Sequence, residues 1–219
     1  TFLAWCIGQR WIRVHPLGEV KGIGKRRHGK EQLTIDEARH LYKVCMREAA
    51  MDDGALAVLL ALLLGLRASE VVSRTVRDLD DQGRVLRITP NPAIGFDPKT
   101  RASHRSVVVP EPLRPLLAAR TRYKLPGALL FTAEGGGPHW RDWVAEQTGR
   151  FCKLAGVPRV CAHALRGVSA STAVASGVAA EAVARALGHE SPEMTKRSYI
   201  APGTLEQADR DRQEALLAH

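Results

Sequence analysis

The sequence lacks a hydrophobic stretch long enough to cross a membrane. Its longest apolar run, residues 55–64, has half of the roughly 20 residues that a spanning helix needs. The first residues also lack the features of a signal peptide. The apolar run therefore predicts a buried core helix, and we expect a cytoplasmic protein.

Motifs that indicate a metal or a nucleotide cofactor are also missing. The cysteines have no C-x-x-C spacing, so we expect free thiols in a reducing compartment. Cys161, His163 and His189 have no H-E-x-x-H or clustered-carboxylate partner, which argues against a zinc site. The chain has neither the G-x-S-x-G turn of hydrolases nor a P-loop. We expect no metal and no cofactor.

Negative charge is scarce relative to positive charge. The chain has 32 Lys and Arg against 23 Asp and Glu, a formal net charge of +9 and a pI near 9.8. This balance favours a polyanionic partner, because neutralising the phosphates of nucleic acid releases counterions. An anionic membrane surface is the competing partner on charge alone.

The chain divides into a short helical start, a basic linker and one main domain. Residues 1–20, with an amphipathic helix over 1–14, are interpreted as the end of a helical domain, and the start without Met suggests a fragment of a longer protein. Residues 21–32 form a Gly-rich basic linker, which either lies against phosphates or is simply solvated. The main domain, 33–219, opens with a capping box at Thr34.

The first half of the main domain combines helices with strands. A nearly all-apolar helix over about 53–64 ends at Gly65, and Arg67 follows closely. The β-branched and aliphatic segments 84–88 and 105–109 predict strands joined by a long polar connection. We therefore expect a small antiparallel sheet.

The second half of the main domain has helical patterns. The helical pattern returns at about residue 139, further helices are predicted at 163–176 and 179–187, and Ser191 caps the helix that carries Tyr199. A last helix, 204–219, has a thin apolar face that needs a partner surface. The predicted fold class is α+β, mainly α-helical, with a small antiparallel sheet.

Groups able to bind phosphate stand at the ends of these elements. The stretch HALR places His163 and Arg166 on one face of a helix start, itself a favourable place for an anion. Arg67 offers a second guanidinium, which Glu70 can orient. The other candidates are Lys99 in the strand connection, His189 after a helix end, and Tyr199.

Each of these residues, taken alone, has an ordinary structural explanation. His163 fits a core histidine, Lys99 a solvated loop lysine and Tyr199 a packing residue, just as Glu70 fits a surface ion pair. The two arginines are harder to explain in this way. Both follow leucine in apolar helical settings, where an unpaired guanidinium is costly.

Together these residue types suit attack on a phosphodiester. The attack adds charge to the non-bridging oxygens, and two guanidiniums can bind that developing charge. A phenol with a pKa of about 10 becomes a better nucleophile when nearby cations favour the phenolate. A lysine can protonate the departing sugar oxygen while a histidine takes the nucleophile's proton.

The order of the motifs GLRASE, PKTRASHRSVVVP, HALR, LGHES and TKRSY resembles the catalytic domain of the tyrosine recombinases, the phage-integrase family. The resemblance covers roughly residues 31–205, and residues 1–20 are similar to the end of the core-binding domain that precedes it in the family. It implies a site-specific recombinase with the fold of that catalytic domain.

The resemblance implies how the chemistry is divided among the residues. Arg67 and Arg166 would bind the scissile phosphate, and Tyr199 would attack it. The product would be a 3′-phosphotyrosyl linkage with a free 5′-hydroxyl, so that religation needs neither ATP nor metal.

Four further roles follow from the same resemblance. Lys99 would act as general acid toward the 5′ oxygen, and His163 as general base or proton shuttle. His189 would hydrogen-bond the phosphate, and Glu70 would support the architecture. One position departs from the pattern, because Gly167 stands where many members have a second histidine.

The resemblance also implies the partners. We expect double-stranded DNA, a tetramer on two DNA sites, a last helix that docks on a neighbouring subunit, and no membrane partner. The residues expected to contact the DNA backbone are Lys25, Arg26, Arg27 and Arg105.

Two other functions stay open beside the recombinase. One is a DNA-binding relative that no longer cleaves; competent residue types at every site position argue against it. The other is a type IB topoisomerase-like enzyme that nicks and reseals one duplex. A covalent protein–DNA adduct separates the first alternative from the rest.

Overall fold

The computed structural model describes residues 2–19, 31–80, 82–98, 101–140 and 142–188, and helices dominate these ranges. The helices are α1 (Phe2–Gly8), α2 (Ile35–Glu48), α3 (Asp53–Leu63), α4 (Ala68–Val72), α5 (Arg114–Thr121), α6 (Trp143–Ala155), α7 (Ala162–Ala175) and α8 (Ala180–Leu187). Strands β1 (Val85–Ile88) and β2 (Arg105–Val108) pair antiparallel, with Val85 opposite Val108. The predicted class, mainly helical with a small antiparallel sheet, is confirmed.

Helix α3 lies at the centre of the core because its sequence is apolar on every face. All of its residues from 54 to 62 are buried, and it packs against α2, α6 and α7. Burying one leucine side chain contributes about 1.5–3 kcal/mol, so a helix of this composition is stable only when other helices surround it. The end of α3 is therefore a rigid point from which the next residues project.

Polar caps begin both helices of the first pair. The capping box predicted at Thr34 is present: the Thr34 N–H donates to the Glu37 carboxylate at 2.7 Å, and the Glu37 N–H donates to the Thr34 hydroxyl at 3.3 Å. Asp52 caps α3 by accepting from the Ala55 N–H at 3.1 Å. The same carboxylate pairs with Arg150 of α6 at 2.7 Å, which ties the two helices together.

Helix boundaries differ from the predictions at two places. The helix predicted over 1–14 stops at Gly8, because Arg10 adopts a left-handed conformation with φ 60° and turns the chain. The helical pattern predicted from about 139 begins as α6 only at Trp143. The structure also adds α4 and α5, which are too short to give a periodic apolar pattern.

Helix α8 joins a small second cluster to the sheet. Val183 and Leu187 pack with Ala170 and Val174 of α7, and α8 also contacts β2. The helix ends at Gly188, which has φ 68°. A Cβ at this position would lie 2.7 Å from the Ala102 carbonyl oxygen, so the approach of the two segments requires glycine.

Several predicted elements lie outside the described residues. They are most of the basic linker, the helix that carries Tyr199, and the last helix, 204–219. Among the helices that the structure does describe, none has the length and apolar character needed to cross a bilayer.

Replacing Gly65 with alanine is expected to destabilise the fold. Gly65 has φ 62°, and a Cβ there would lie 2.5 Å from the Leu187 side chain. The left-handed conformation costs a non-glycine residue about 1 kcal/mol, and the close contact adds about 1–3 kcal/mol. Urea unfolding followed by circular dichroism measures the loss.

The matched control for this substitution is Gly95→Ala. Gly95 has nearly the same conformation, φ 65°, but a Cβ there would have no neighbour within 4 Å. The free energy of unfolding of Gly95→Ala should fall only by the cost of the left-handed conformation, about 1 kcal/mol. Equal losses at both glycines would show that Leu187 does not pack against Gly65 as described.

Candidate active site

The site begins where the chain leaves α3. Gly65 turns the backbone, Leu66 is buried, and Arg67 stands immediately before α4. The Arg67 N–H donates to Glu70 Oε2 at 2.8 Å, and Arg67 Nη1 donates to Glu70 Oε1 at 2.7 Å. The first turn of α4 thus folds the Arg67 side chain onto the Glu70 carboxylate.

Three guanidiniums surround the Glu70 carboxylate. Besides Arg67, it accepts from Arg105 through two parallel bonds of 2.9 Å, one to each oxygen. Arg166 Nη1 lies 4.0 Å from Oε2. The three arginines come from the residue before α4, from β2 and from α7, so a single buried anion brings together segments that are far apart in the sequence. Positive charge exceeds negative charge in this cluster.

The arginines set the protonation state of Glu70, whose side chain is 2% exposed. Burial by itself raises the pKa of the carboxyl, but the hydrogen bonds and charge of Arg105, the Arg67 amide and the charge of Arg166 outweigh it. The pKa falls from 4.5 to about 2. Glu70 is therefore an anion over the whole physiological pH range.

Arg166 occupies the deepest position of the cluster. Its side chain is 0% exposed, and its two terminal nitrogens donate to the carbonyl oxygens of Gly65 and Leu187. It thereby joins the ends of α3 and α8 through α7. His163 lies one turn earlier on α7 and is exposed. The structure brings Arg67, Glu70 and Arg166 together and places His163 on the adjoining turn.

A fourth arginine, Arg74, binds the backbone of Glu70. Arg74 is fully buried, and its Nε donates to the Glu70 backbone carbonyl at 3.1 Å. Its Nη2 donates to the Thr89 carbonyl, just after β1, at 2.8 Å, and its Nη1 pairs with Asp78 at 3.3 Å. Both the backbone and the side chain of Glu70 are therefore fixed.

Three predicted catalytic residues lie outside the described part of the chain: Lys99, His189 and Tyr199. The predicted DNA contacts Lys25, Arg26 and Arg27 lie outside it as well. Gly188, the residue before His189, is described and packs directly against Arg105, whose Cδ would lie 3.1 Å from a Cβ at this position.

The space beside Gly167 is filled by another side chain. A Cβ at Gly167 would lie 2.6 Å from Gln32 Nε2, and the Ser171 hydroxyl donates to Gln32 Oε1 at 3.1 Å. A histidine at 167 would therefore displace Gln32. Gln32 thus packs against α7 in the space that a larger side chain at position 167 would occupy.

Arg105 has a tertiary contact that the sequence reasoning missed. The sequence predicts a DNA contact at this position, and the structure shows a side chain that is 6% exposed with its guanidinium bound to Glu70. The signal was available in the strand alternation. Side chains two apart share a face of a strand, and Val107 and Val109 are buried, so Arg105 faces inward with them.

The described residues contain no group of three or more His, Cys, Asp or Glu side chains that could hold a metal ion. What the cluster offers instead is guanidinium groups around one carboxylate. Such an arrangement can bind an anion, because guanidiniums present paired N–H donors to phosphate oxygens. Of the three, Arg67 is the most accessible, with its side chain 32% exposed.

Comparison with known proteins identifies the family of this chain. A model of the phage integrase family matches residues 31–204. No match is found among curated protein sequences.

Three solved structures illustrate the likeness in fold. The XerA recombinase has a TM-score of 0.68 and 17% identity, with 94% of this chain and 71% of that one covered. The Tn1549 transposon integrase in complex with circular intermediate DNA has a TM-score of 0.69 and 20% identity, covering 97% and 76%. The XerH site-specific recombinase bound to a palindromic substrate has a TM-score of 0.66 and 18% identity, covering 94% and 58%.

Glu70→Gln is expected to lose stability in a pH-dependent way. The folded pKa of about 2 lies below the ordinary 4.5, so the carboxylate stabilises the fold above pH 4.5, and this contribution is lost as the pH falls toward 2. The difference corresponds to roughly 3 kcal/mol at pH 7. Urea unfolding at a series of pH values measures the difference in the free energy of unfolding between the native and the variant protein.

The control for this substitution is Glu111→Gln, at an exposed position. It should have nearly the native stability at every pH. A gap for Glu70→Gln that stays constant from pH 7 down to pH 3 would mean that the carboxylate is not held as an anion by its neighbours.

Proposed function

Because the chain belongs to the phage integrase family, we propose that it is a site-specific DNA recombinase that cuts and rejoins strands through a 3′-phosphotyrosyl intermediate. One observation carries the proposal: Arg67 and Arg166 meet at the same buried carboxylate, with His163 on the turn before Arg166. A separation of the two guanidiniums onto different faces would have removed the basis for phosphate binding.

The first step is attack on the scissile phosphate. The Tyr199 oxygen forms a bond to phosphorus while the bond from phosphorus to the 5′ oxygen breaks. Charge increases on the two non-bridging oxygens during this step, and Arg67 and Arg166 bind them more strongly than in the ground state. Glu70 keeps both guanidiniums in place and stays ionised while they act.

Two protons move in the same step. His163 accepts the phenol proton, and Lys99 donates a proton to the departing 5′ oxygen. His189 donates a hydrogen bond to the phosphate and aligns it with the nucleophile. The phosphotyrosyl ester keeps the energy of the original bond, so attack by a 5′-hydroxyl of another strand reverses the chemistry without ATP.

Phosphate binding by Arg166 requires an exchange of partners. Its terminal nitrogens donate to the Gly65 and Leu187 carbonyls, and the side chain is shielded from solvent. Arg67 is the group that an incoming phosphate meets first, because part of its side chain is exposed. Arg166 then turns at least one donor from a carbonyl to a phosphate oxygen.

The proposal includes an assembly on DNA. The Tn1549 integrase and XerH structures contain DNA, and the net charge of +9 suits the same class of partner for this chain. Exchange between two sites needs two duplexes in one complex, for which we propose a tetramer. Lys25, Arg26 and Arg27 are proposed to contact the DNA backbone.

The test is capture of the covalent intermediate. The protein is incubated with random-sequence DNA duplexes, and DNA that stays attached under denaturing conditions is recovered and sequenced. We expect adducts on a defined sequence, unchanged in EDTA because guanidiniums supply the positive charge, and absent for Tyr199→Phe. The recovered sequence, nicked next to the cleavage point, then serves as the suicide duplex.

Other outcomes separate the alternatives. DNA binding without an adduct would support the non-cleaving relative. An adduct with resealing of single duplexes, and no exchange between two duplexes, would support the topoisomerase-like enzyme. Adducts that persist in Tyr199→Phe would contradict the assigned nucleophile.

Arg166→Lys is expected to separate cleavage from binding. The lysine keeps the buried positive charge beside Glu70 but cannot present two parallel N–H donors. We expect adduct formation on the suicide duplex to fall at least about 100-fold, with DNA affinity near that of the native protein because many other cations contact the backbone. Equal losses of affinity and cleavage would show an architectural role instead.

A further inference from the structure

Arg105 uses every nitrogen of its guanidinium inside the protein. Nη1 and Nη2 donate to the two oxygens of Glu70 at 2.9 Å each. Nε donates to the Ala186 carbonyl at 2.8 Å, and Nη1 also reaches the Ser103 carbonyl at 3.2 Å. The side chain thus connects β2, the start of α4 and the end of α8. With 6% of its surface exposed, it has little area to offer to DNA.

The bond to Ala186 lies at the C-terminal end of α8. The last carbonyls of a helix lack partners within the helix, and cations there are also favoured by the helix dipole. Arg105 donates to the Ala186 carbonyl and Arg166 donates to the Leu187 carbonyl. Two arginines of one cluster therefore hold consecutive carbonyls at the end of α8.

A second contact places Arg105 against the residue that follows α8. At Gly188, with φ 68°, an added Cβ would lie 3.1 Å from both Cδ and Nη1 of Arg105 and 2.7 Å from the Ala102 carbonyl. The chain can pass this close only because the residue is glycine. The hydrogen bond at Ala186 and this packing at Gly188 both hold the end of α8 against Arg105.

We propose that Arg105 is a positioning residue for strand cleavage, which couples the end of α8 to the Glu70 carboxylate and so holds the Arg67 and Arg166 guanidiniums in register. The inference rests on the proposed function, because it assigns a part in the same reaction. Arg105 itself touches no substrate. It acts through Glu70, which binds Arg67, and through the end of α8, where the Leu187 carbonyl accepts from Arg166.

The expected consequence is a loss of cleavage without a loss of binding. Displacing reacting groups by about 1 Å can lower a rate about 100-fold, even when the substituted residue lies away from the chemistry. Binding to DNA depends on many backbone contacts and is insensitive to this register. A residue that contacted the DNA backbone would show the opposite pattern.

The experiment compares Arg105→Ala and Arg105→Lys with the native full chain on the suicide duplex. The rate of adduct formation gives cleavage, and mobility shifts in the Tyr199→Phe background give affinity without adduct. We expect cleavage to fall about 100-fold for both variants, with affinity near native. Arg105→Lys is not expected to restore cleavage, because a single ammonium group cannot donate to both Glu70 and Ala186 as the planar guanidinium does.

The matched control is Arg87→Ala. Arg87 lies on β1 of the same sheet and is exposed, so its removal takes away the same charge without touching the Glu70 cluster. It should cleave at the native rate from the bound complex. If Arg105→Lys and Arg87→Ala lower affinity alike and leave cleavage from the complex intact, Arg105 is an ordinary DNA contact and the proposal is wrong.

Arg105→Lys keeps the experiment decisive if Arg105→Ala does not fold, because it retains the charge and most of the stem. Native cleavage by a folded Arg105→Lys protein would overturn the proposal. A double variant with Glu70→Gln adds a coupling test: it should be no slower than the slower single variant, because both changes break the same link. Losses that simply multiply would show that the two residues act separately.

Failure of this inference is distinguishable from failure of the proposed function. If the native protein forms no adduct, the recombinase assignment fails. If the native protein forms the adduct and Arg105→Lys does so at the same rate, the assignment stands and only the positioning role fails.

Discussion

The buried Glu70 carboxylate is the constraint on which the rest of the site depends. An uncompensated buried charge costs several kcal/mol, so the fold must bring cations to it. It does so with Arg67, Arg105 and Arg166, which come from three separate segments. Removing the carboxylate would leave guanidiniums close together without their common counterion. The cations that stabilise the anion therefore also create a positively charged centre.

Rigid elements hold this centre in place. Helix α3 is surrounded by α2, α6 and α7, and it ends at the turn that leads to Arg67. Helix α7 carries Arg166, and Arg74 fixes the backbone of Glu70. An apolar core thus supports a highly polar site, with each arginine anchored at the end of a packed element.

The three arginines differ in how they can act. Arg67 is partly open to solvent, whereas Arg166 is closed and bonded to backbone carbonyls, and Arg105 is bound to both Glu70 and the end of α8. These differences follow from the segment that carries each one, since all three bear the same charge. In the proposed reaction, the exposed guanidinium of Arg67 meets the phosphate first and the buried one of Arg166 completes its binding.

Local patterns in the sequence determined the longer helices, the small sheet and the choice of Arg67, Glu70 and Arg166 as candidate site residues. Capping at Thr34 and the apolar composition of α3 act over a few residues, so they can be read directly from the chain. Only the tertiary structure decided that Arg105 binds Glu70 and Ala186, and that Gln32 packs over Gly167. These contacts join segments distant in sequence, and their geometry depends on how the helices and strands pack rather than on any local preference.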